Sequence, residues 1–234
     1  MILDIRLRTA ADMVPQGARL ADIGSDHAYL PIALCLENRI DRALASDIND
    51  GPVAAAVANI NKNNLANRIK AVRADGLDAA EEFSPDCVTI LGMGGELIVS
   101  ILEKAPWIKN GGITLVLQPM THPEILAKYL AEQGFCVTDE KVVCDGGRED
   151  RIYRIISAHF DGQARKLSEA EALIGKINLE RLDGVTRAYV ARNIRVLETR
   201  IKGKTTAGAD SVAECQLVCE LKHYLERNTD NESN

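Results

Sequence analysis

The run Asp22-Ile23-Gly24-Ser25-Asp26-His27-Ala28-Tyr29-Leu30-Pro31 follows the apolar stretch Ala18-Arg19-Leu20-Ala21 and leads into a helical pattern over residues 29–37. Pro31 is tolerated there because it falls in the first turn of that helix. A strand that stops at a glycine and resumes as a helix brings backbone close to a ligand at the carboxyl edge of a sheet. A dinucleotide site would carry further glycines here, since pyrophosphate rests on bare amides. Asp26 stands where the second glycine would be, and a carboxylate repels pyrophosphate. An NAD-dependent enzyme is therefore disfavoured.

Outward from this turn, short apolar runs alternate with helical patterns. Strands are expected over 42–46, 69–73, 87–91 and 113–117, and helices over 52–63, 96–102 and 123–133. Two late strands, 135–143 and 151–158, have no helix between them and are joined by Cys144-Asp145-Gly146-Gly147, which is turn chemistry. Five β-then-α steps imply a parallel sheet with helices on both faces. The last pair must be antiparallel, because its link is too short for a crossover. The expected fold is therefore α/β and Rossmann-like: a seven-stranded, mostly parallel sheet with one antiparallel strand. That hairpin-closed sheet is the architecture of class I methyltransferases; ordinary dinucleotide-binding folds lack it.

From about residue 161 the period changes. Leu167, Ala170, Leu173, Ile174 and Ile177 follow helical spacing, as do Val190, Ile194, Leu197 and Ile201, and then Val212, Cys215, Cys219 and Leu225. Gly203 and Thr205–Ala209 read as a turn. The expectation is a catalytic domain over 1–159 and a C-terminal domain over 160–234. The latter holds two or three amphipathic helices in a helical hairpin or coiled coil, with a frayed polar tail at 228–234.

Acids recur at the ends of successive strands. Asp22 and Asp26 flank the first turn, Asp47 ends the second strand, and Asp75-Gly76 follows the third. An acid about 20 residues beyond the glycine turn accepts hydrogen bonds from ribose hydroxyls. An acid after the third strand is placed to accept from an adenine amino group. S-adenosylmethionine has no phosphate and carries sulfonium and ammonium charges, so it suits this acidic edge. Gly92-Met93-Gly94-Gly95 after the fourth strand leaves room for cofactor and substrate, and Gln118-Pro119-Met120 after the fifth is a candidate wall of the substrate pocket. Each acid and glycine also has a plain reading as a cap or turn residue.

Bulk properties narrow the class. The 234 residues are 46% hydrophobic and 26% charged, ordinary for a globular protein. No window approaches about 20 apolar residues, so no membrane span is expected. No signal peptide is expected either, and a cytoplasmic location follows. The six cysteines lack metal-ligand spacing, so no metal site is expected and they read as reduced thiols. The net charge of −6 resides in residues 1–159, whereas Arg165 to Lys204 holds ten basic and five acidic residues. A basic segment on an acidic body suits phosphate binding, and equally suits a solvated helical face.

Five segments resemble a known family in order and spacing over residues 4–159. They are Ala21–Pro31, Ala45–Asn49 followed by Gly51-Pro52, Asp75–Leu77, Gly92–Ile98 and Leu117–Met120. The family is bacterial TrmK, the tRNA (adenine-22-N1)-methyltransferases. The C-terminal helices resemble its coiled-coil extension without a sharp motif. The resemblance implies that Asp22, Gly24, Asp26, His27, Asp47, Asp75, Gly76, Gly92 and Met93 line an S-adenosylmethionine site, that Tyr29 lies near the target base, and that the partner is tRNA. Adenine N1 is already a lone-pair nucleophile, so positioning matters more than a base. Asp26 is then the candidate to stabilise the cationic product and Tyr29 the candidate to stack on the base. His27 reads equally as a loop histidine. A monomer is expected. Alternatives are methylation of another RNA or a small molecule, or a non-catalytic RNA-binding protein that keeps the fold.

Overall fold

The computed structural model describes residues 2–148 and 151–227; the tail expected to fray lies outside them. Seven strands form one sheet: β1 (Arg19–Ile23), β2 (Arg42–Asp47), β3 (Ile69–Arg73), β4 (Cys87–Gly94), β5 (Thr114–Thr121), β6 (Phe135–Cys144) and β7 (Ile152–Phe160). Their order is β3-β2-β1-β4-β5-β7-β6. β1 to β5 are parallel, and β7 lies antiparallel between β5 and β6. The chain thus has the mostly parallel sheet with one antiparallel strand that its sequence predicts. Strand order reverses between β1 and β4, where a crevice must open at the carboxyl edge.

The helices are α1 (Ile5–Met13), α2 (Tyr29–Leu36), α3 (Asp50–Lys62), α4 (Ala80–Phe83), α5 (Gly95–Glu103) and α6 (Pro123–Glu132), with a short 3₁₀ turn at Pro106–Lys109. Leu20, Ile32, Leu34 and Val116 bury on one face of the sheet with Ala10 and Ala11 of α1. Ile90, Ile98, Leu102, Leu117 and Leu126 bury on the other. Each fully buried Leu or Ile contributes roughly 1.5–3 kcal/mol, so the two faces fix the sheet firmly. Helix α1 is absent from the sequence reading because Arg6, Arg8 and Asp12 interrupt its apolar stripe. The structure gives it a cap instead: Leu7 N–H donates to Asp4 Oδ1 at 2.7 Å.

The C-terminal segment forms four helices among the described residues rather than two or three: α7 (Glu169–Ile174), α8 (Lys176–Arg181), α9 (Gly184–Thr206) and α10 (Val212–Arg227). A Ser168–Glu171 capping box starts α7. Helices α9 and α10 run antiparallel, cross-linked by Arg187 to the Leu225 carbonyl (3.2 Å), by Lys222 to Glu198 (2.8 Å) and by Lys204 to Glu214. The expected turn starts too early: α9 continues through Gly203 and Thr205 to Thr206, closing with the Ala207 amide on the Gly203 carbonyl. The pair is a hairpin. A two-stranded coiled coil would give its apolar seam to one partner, but α9 also packs on α7, α8 and β6.

One buried ion pair locks these helices to the sheet. Arg154 of β7 donates to Glu140 of β6 from Nε at 3.1 Å and from Nη2 at 2.8 Å. Arg154 Nη1 also donates to the Ala172 carbonyl at 2.6 Å, and the Ile177 amide donates to Glu140 Oε1 at 2.8 Å. Both side chains are at most 3% exposed. Val142 and Ile152 join Ile174, Val190 and Leu221 in a third core.

Candidate active site

Register brings the carboxyl ends of β1, β2 and β4 level, since Ile23 faces both Ser46 and Ile90. Gly24 turns the chain there at φ +72°. Its amide and that of Ser25 both donate to the Ser46 carbonyl, at 2.8 and 2.9 Å. The Asp22 carboxylate is buried and accepts from Ser25 Oγ at 2.5 Å and Thr89 Oγ1 at 2.6 Å. Burial pushes its pKa up, while the two hydroxyls and the nearby Arg6 charge pull the other way. Asp22 therefore braces the turn through these hydroxyls while also lining the hollow beside it.

A cavity of about 270 Å³ opens beside this turn, lined by Arg6, Asp22, Gly24, Asp26, His27 and Tyr29 among others. Asp26 is exposed and pairs with His27 Nε2 at 3.3 Å. The His27 ring stacks on Tyr29, with centroids 4.9 Å apart and planes 21° off parallel. Asn59 Nδ2 fixes the His27 carbonyl at 3.1 Å. Tyr29 remains 43% exposed, so much of its ring is open to a ligand. The sequence reading has Tyr29 stacking on a base; in the structure His27 already occupies part of that role.

Asp47 ends β2 with Oδ1 accepting from the Asn49 amide at 2.8 Å and from Asn49 Nδ2 at 3.2 Å. Its Oδ2 has no partner among the described residues and is available to a donor. Asp75 and Gly76 follow β3 but line a second cavity of about 500 Å³, with Ile101, Lys104 and Trp107. Lys104 Nζ reaches Asp75 Oδ2 at 3.5 Å. The acids expected to share one crevice thus stand along one sheet edge but open into different hollows.

On β4, Gly92 sits in a bulge at φ +79°. Its amide donates to Gln118 Oε1 at 3.1 Å, and Arg6 Nη1 donates to the same oxygen at 3.0 Å. The Met93 terminal methyl lies against the bare Cα of Gly24, where a β-carbon would collide with it. A β-carbon on Gly95 would meet the His122 carbonyl, so this glycine lets the start of α5 pack closely on the link from β5 to α6. Arg6, Ser25 and Thr89 were missed by sequence reading. Ser25 lies inside the quoted motif and was legible; Arg6 and Thr89 reach the site only through tertiary folding.

Residues 3–156, which include every residue of this site, match the family described as a methyltransferase domain. The tRNA (adenine(22)-N(1))-methyltransferase of Bacillus subtilis is 38% identical over 146 residues, 62% of this chain and 61% of that relative. The crystal structure of Bacillus subtilis TrmK superposes with a TM-score of 0.79 at 30% identity, covering 96% of both chains. The chain belongs to the TrmK family of methyltransferases. Another similar structure is that of Streptococcus pneumoniae Sp1610 in complex with S-adenosyl-L-methionine, with a TM-score of 0.82 and 31% identity over 94% of this chain and 99% of that one. Membership covers the helical segment too, since these superpositions extend well past residue 159.

The residues present suit the family's cofactor. The Gly24 turn offers no phosphate cradle, the exposed Asp26 carboxylate faces cationic groups well, and Asp47 keeps an acceptor oxygen for a diol. No helix among the described residues is long and apolar enough to cross a membrane.

Proposed function

We propose that this chain methylates N1 of adenine 22 in tRNA, using S-adenosylmethionine. The reading is carried by one observation: residues 3–156, which match a methyltransferase domain, build the acidic, glycine-lined edge, in a chain 38% identical over 146 residues to a Bacillus enzyme that acts on adenine-22 N1. The Sp1610 complex with the cofactor supports the choice of methyl donor. Asp47, Asp26 and the Gly24 turn are the residues that would hold it, with Met93 and Gly92 alongside and Asp75-Gly76 at the outer end. When bound, S-adenosylmethionine supplies an electrophilic methyl group.

The protein's own task is then positioning. Adenine N1 bears a lone pair, so no proton is removed before attack, and holding N1 in line supplies much of the rate. The Asp22–Ser25–Thr89 brace fixes the turn, which in turn fixes the Asp26–His27–Tyr29 stack. Tyr29 orients the base through its exposed face. Asp26 stabilises the positive charge that develops on the methylated ring. N1 lies on the Watson–Crick edge, so the adenine must be unpaired or flipped before it enters.

In this reading residues 1–159 hold the cofactor and 160–234 form the tRNA-docking domain, and the protein acts as a cytoplasmic monomer. The test is incubation with labelled S-adenosylmethionine and tRNA transcripts, followed by nucleoside analysis. One N1-methyladenosine per tRNA is expected, lost when adenine 22 is replaced by guanine. Label at another nucleotide, or none, would overturn the reading.

A further inference from the structure

A third cavity, separate from the hollow beside the Gly24 turn, lies between α9 and the turn joining β5 to α6. It measures about 330 Å³, and its walls come from Pro119, Met120 and Tyr153 on the sheet side and Arg192, Val196 and Arg200 on α9. Residues 192, 196 and 200 are four apart, so they share one helix face. Arg192 and Arg200 have no hydrogen bond or ion pair with any described residue, unlike Arg154 in the same wall, which Glu140 neutralises. The acid that lines the groove, Glu124, sits 3.3 Å from His122 Nδ1 at its β5–α6 end. Two uncommitted guanidiniums therefore flank an apolar floor, where Met120 is 53% and Val196 43% exposed.

The groove is continuous with the active edge. Pro119 pairs with Met93 and Thr121 with Gly94 across β4 and β5. Gln118 Nε2 contacts Met120 Sδ at 3.4 Å, while Gln118 Oε1 holds the Gly92 loop. A polymer with one residue at the cofactor edge would have its neighbours at this groove. Cations above an apolar floor match an unpaired nucleotide: phosphates on the guanidiniums, the base or sugar on Met120, Val196 and Tyr153.

We infer that this groove seats an unpaired RNA nucleotide next to the modified adenine, with Arg192 and Arg200 clamping its phosphates. The inference rests on the RNA-methylating reading above and adds where the strand runs and what holds it. Both arginines make no internal bonds, so removing them leaves the fold intact. Lys202 is the control, because it is exposed on the same helix and is not among the residues that line the groove.

The experiment measures kcat and KM for tRNA in the full-length protein, its Arg192→Ala/Arg200→Ala variant and Lys202→Ala, across a salt series. Cofactor affinity and thermal melts are recorded alongside. The double variant should raise KM for tRNA by about tenfold or more and flatten the salt dependence by about two units of log–log slope. Its cofactor affinity and melting temperature should match the parent, and Lys202→Ala should change KM by less than about threefold. A double variant with parental KM and salt slope overturns the groove assignment while leaving the methyltransferase reading intact. So does a Lys202→Ala variant as defective as the pair, which would mean that diffuse charge alone acts. A wild-type protein that methylates no tRNA overturns the functional reading, and the groove assignment with it.

Discussion

Two acidic side chains are buried among the described residues, and they lie in regions of opposite character. Asp22, at the cofactor edge, is met by two hydroxyls and has no cation within bonding distance. Glu140, beneath the helical segment, is met by a guanidinium and a backbone amide. Hydroxyl donors turn and exchange readily, which suits a loop that must admit a ligand. A fully desolvated ion pair suits a joint that must not open, because separating its members leaves a bare charge in the protein. The edge of the sheet is thus built for binding and the joint for rigidity.

If that contrast is right, the sharpest way to break it is at the joint. Glu140→Ala strands the Arg154 charge and the Ile177 amide, and should cost about 3–5 kcal/mol. For a chain of this length that is a fall in melting temperature of roughly 6–20 °C. Replacing both Glu140 and Arg154 with Leu should recover much of the loss, because the cost lies in the unpaired charge. A Glu140→Ala protein that melts with the parent in a calorimetric scan would show that the joint is not held by this pair.

The edge should behave the opposite way, losing binding and keeping stability. Asp47→Ala removes an exposed-side acceptor whose Oδ2 makes no internal contact. Cofactor binding should weaken by about 1.5–3 kcal/mol, the scale of hydrogen bonds to a charged acceptor. Titration calorimetry measures this, and a folded variant with unchanged affinity would remove Asp47 from the site.

Tyr29 gives the smallest and most discriminating effect. Tyr29→Phe keeps the ring that stacks on His27 and should retain most methylation activity. Tyr29→Ala should lose about 1–3 kcal/mol of transition-state stabilisation, the contribution of one base–aromatic stack. Steady-state kinetics separates the two. If Phe is as defective as Ala, the hydroxyl acts and the edge binds its base by hydrogen bonding instead.

Much of this edge was legible in the sequence. The glycine turn at Gly24 and the acids at 22, 47 and 75 sit at or just beyond strand ends, where one-dimensional spacing places them; Gly92 reads as a strand stop, but β4 continues through it as a bulge to Gly94. Their orientation was not legible. Asp22 and Asp26 read alike as acids beside a glycine, yet one is 6% exposed and the other faces solvent, because Thr89 and Ser25 draw the first inward. Asp75 joins a different hollow because α5 and the 3₁₀ turn that follows it rise beside it.

The sequence by itself determined the order of the seven strands along the chain, the reversed hairpin at the end and the acid-rich, glycine-broken carboxyl edge. These are local facts, written in period-2 and period-3.6 patterns and in turn residues that only a few backbone shapes accept. Only the tertiary structure decided that α1 carries Arg6 to Gln118, that Met93 covers Gly24, and that Arg154 and Glu140 join the helices to the sheet. Those pairings link residues up to 112 positions apart. Long-range partners are chosen by how whole faces pack, and no local pattern encodes which distant side chain will arrive.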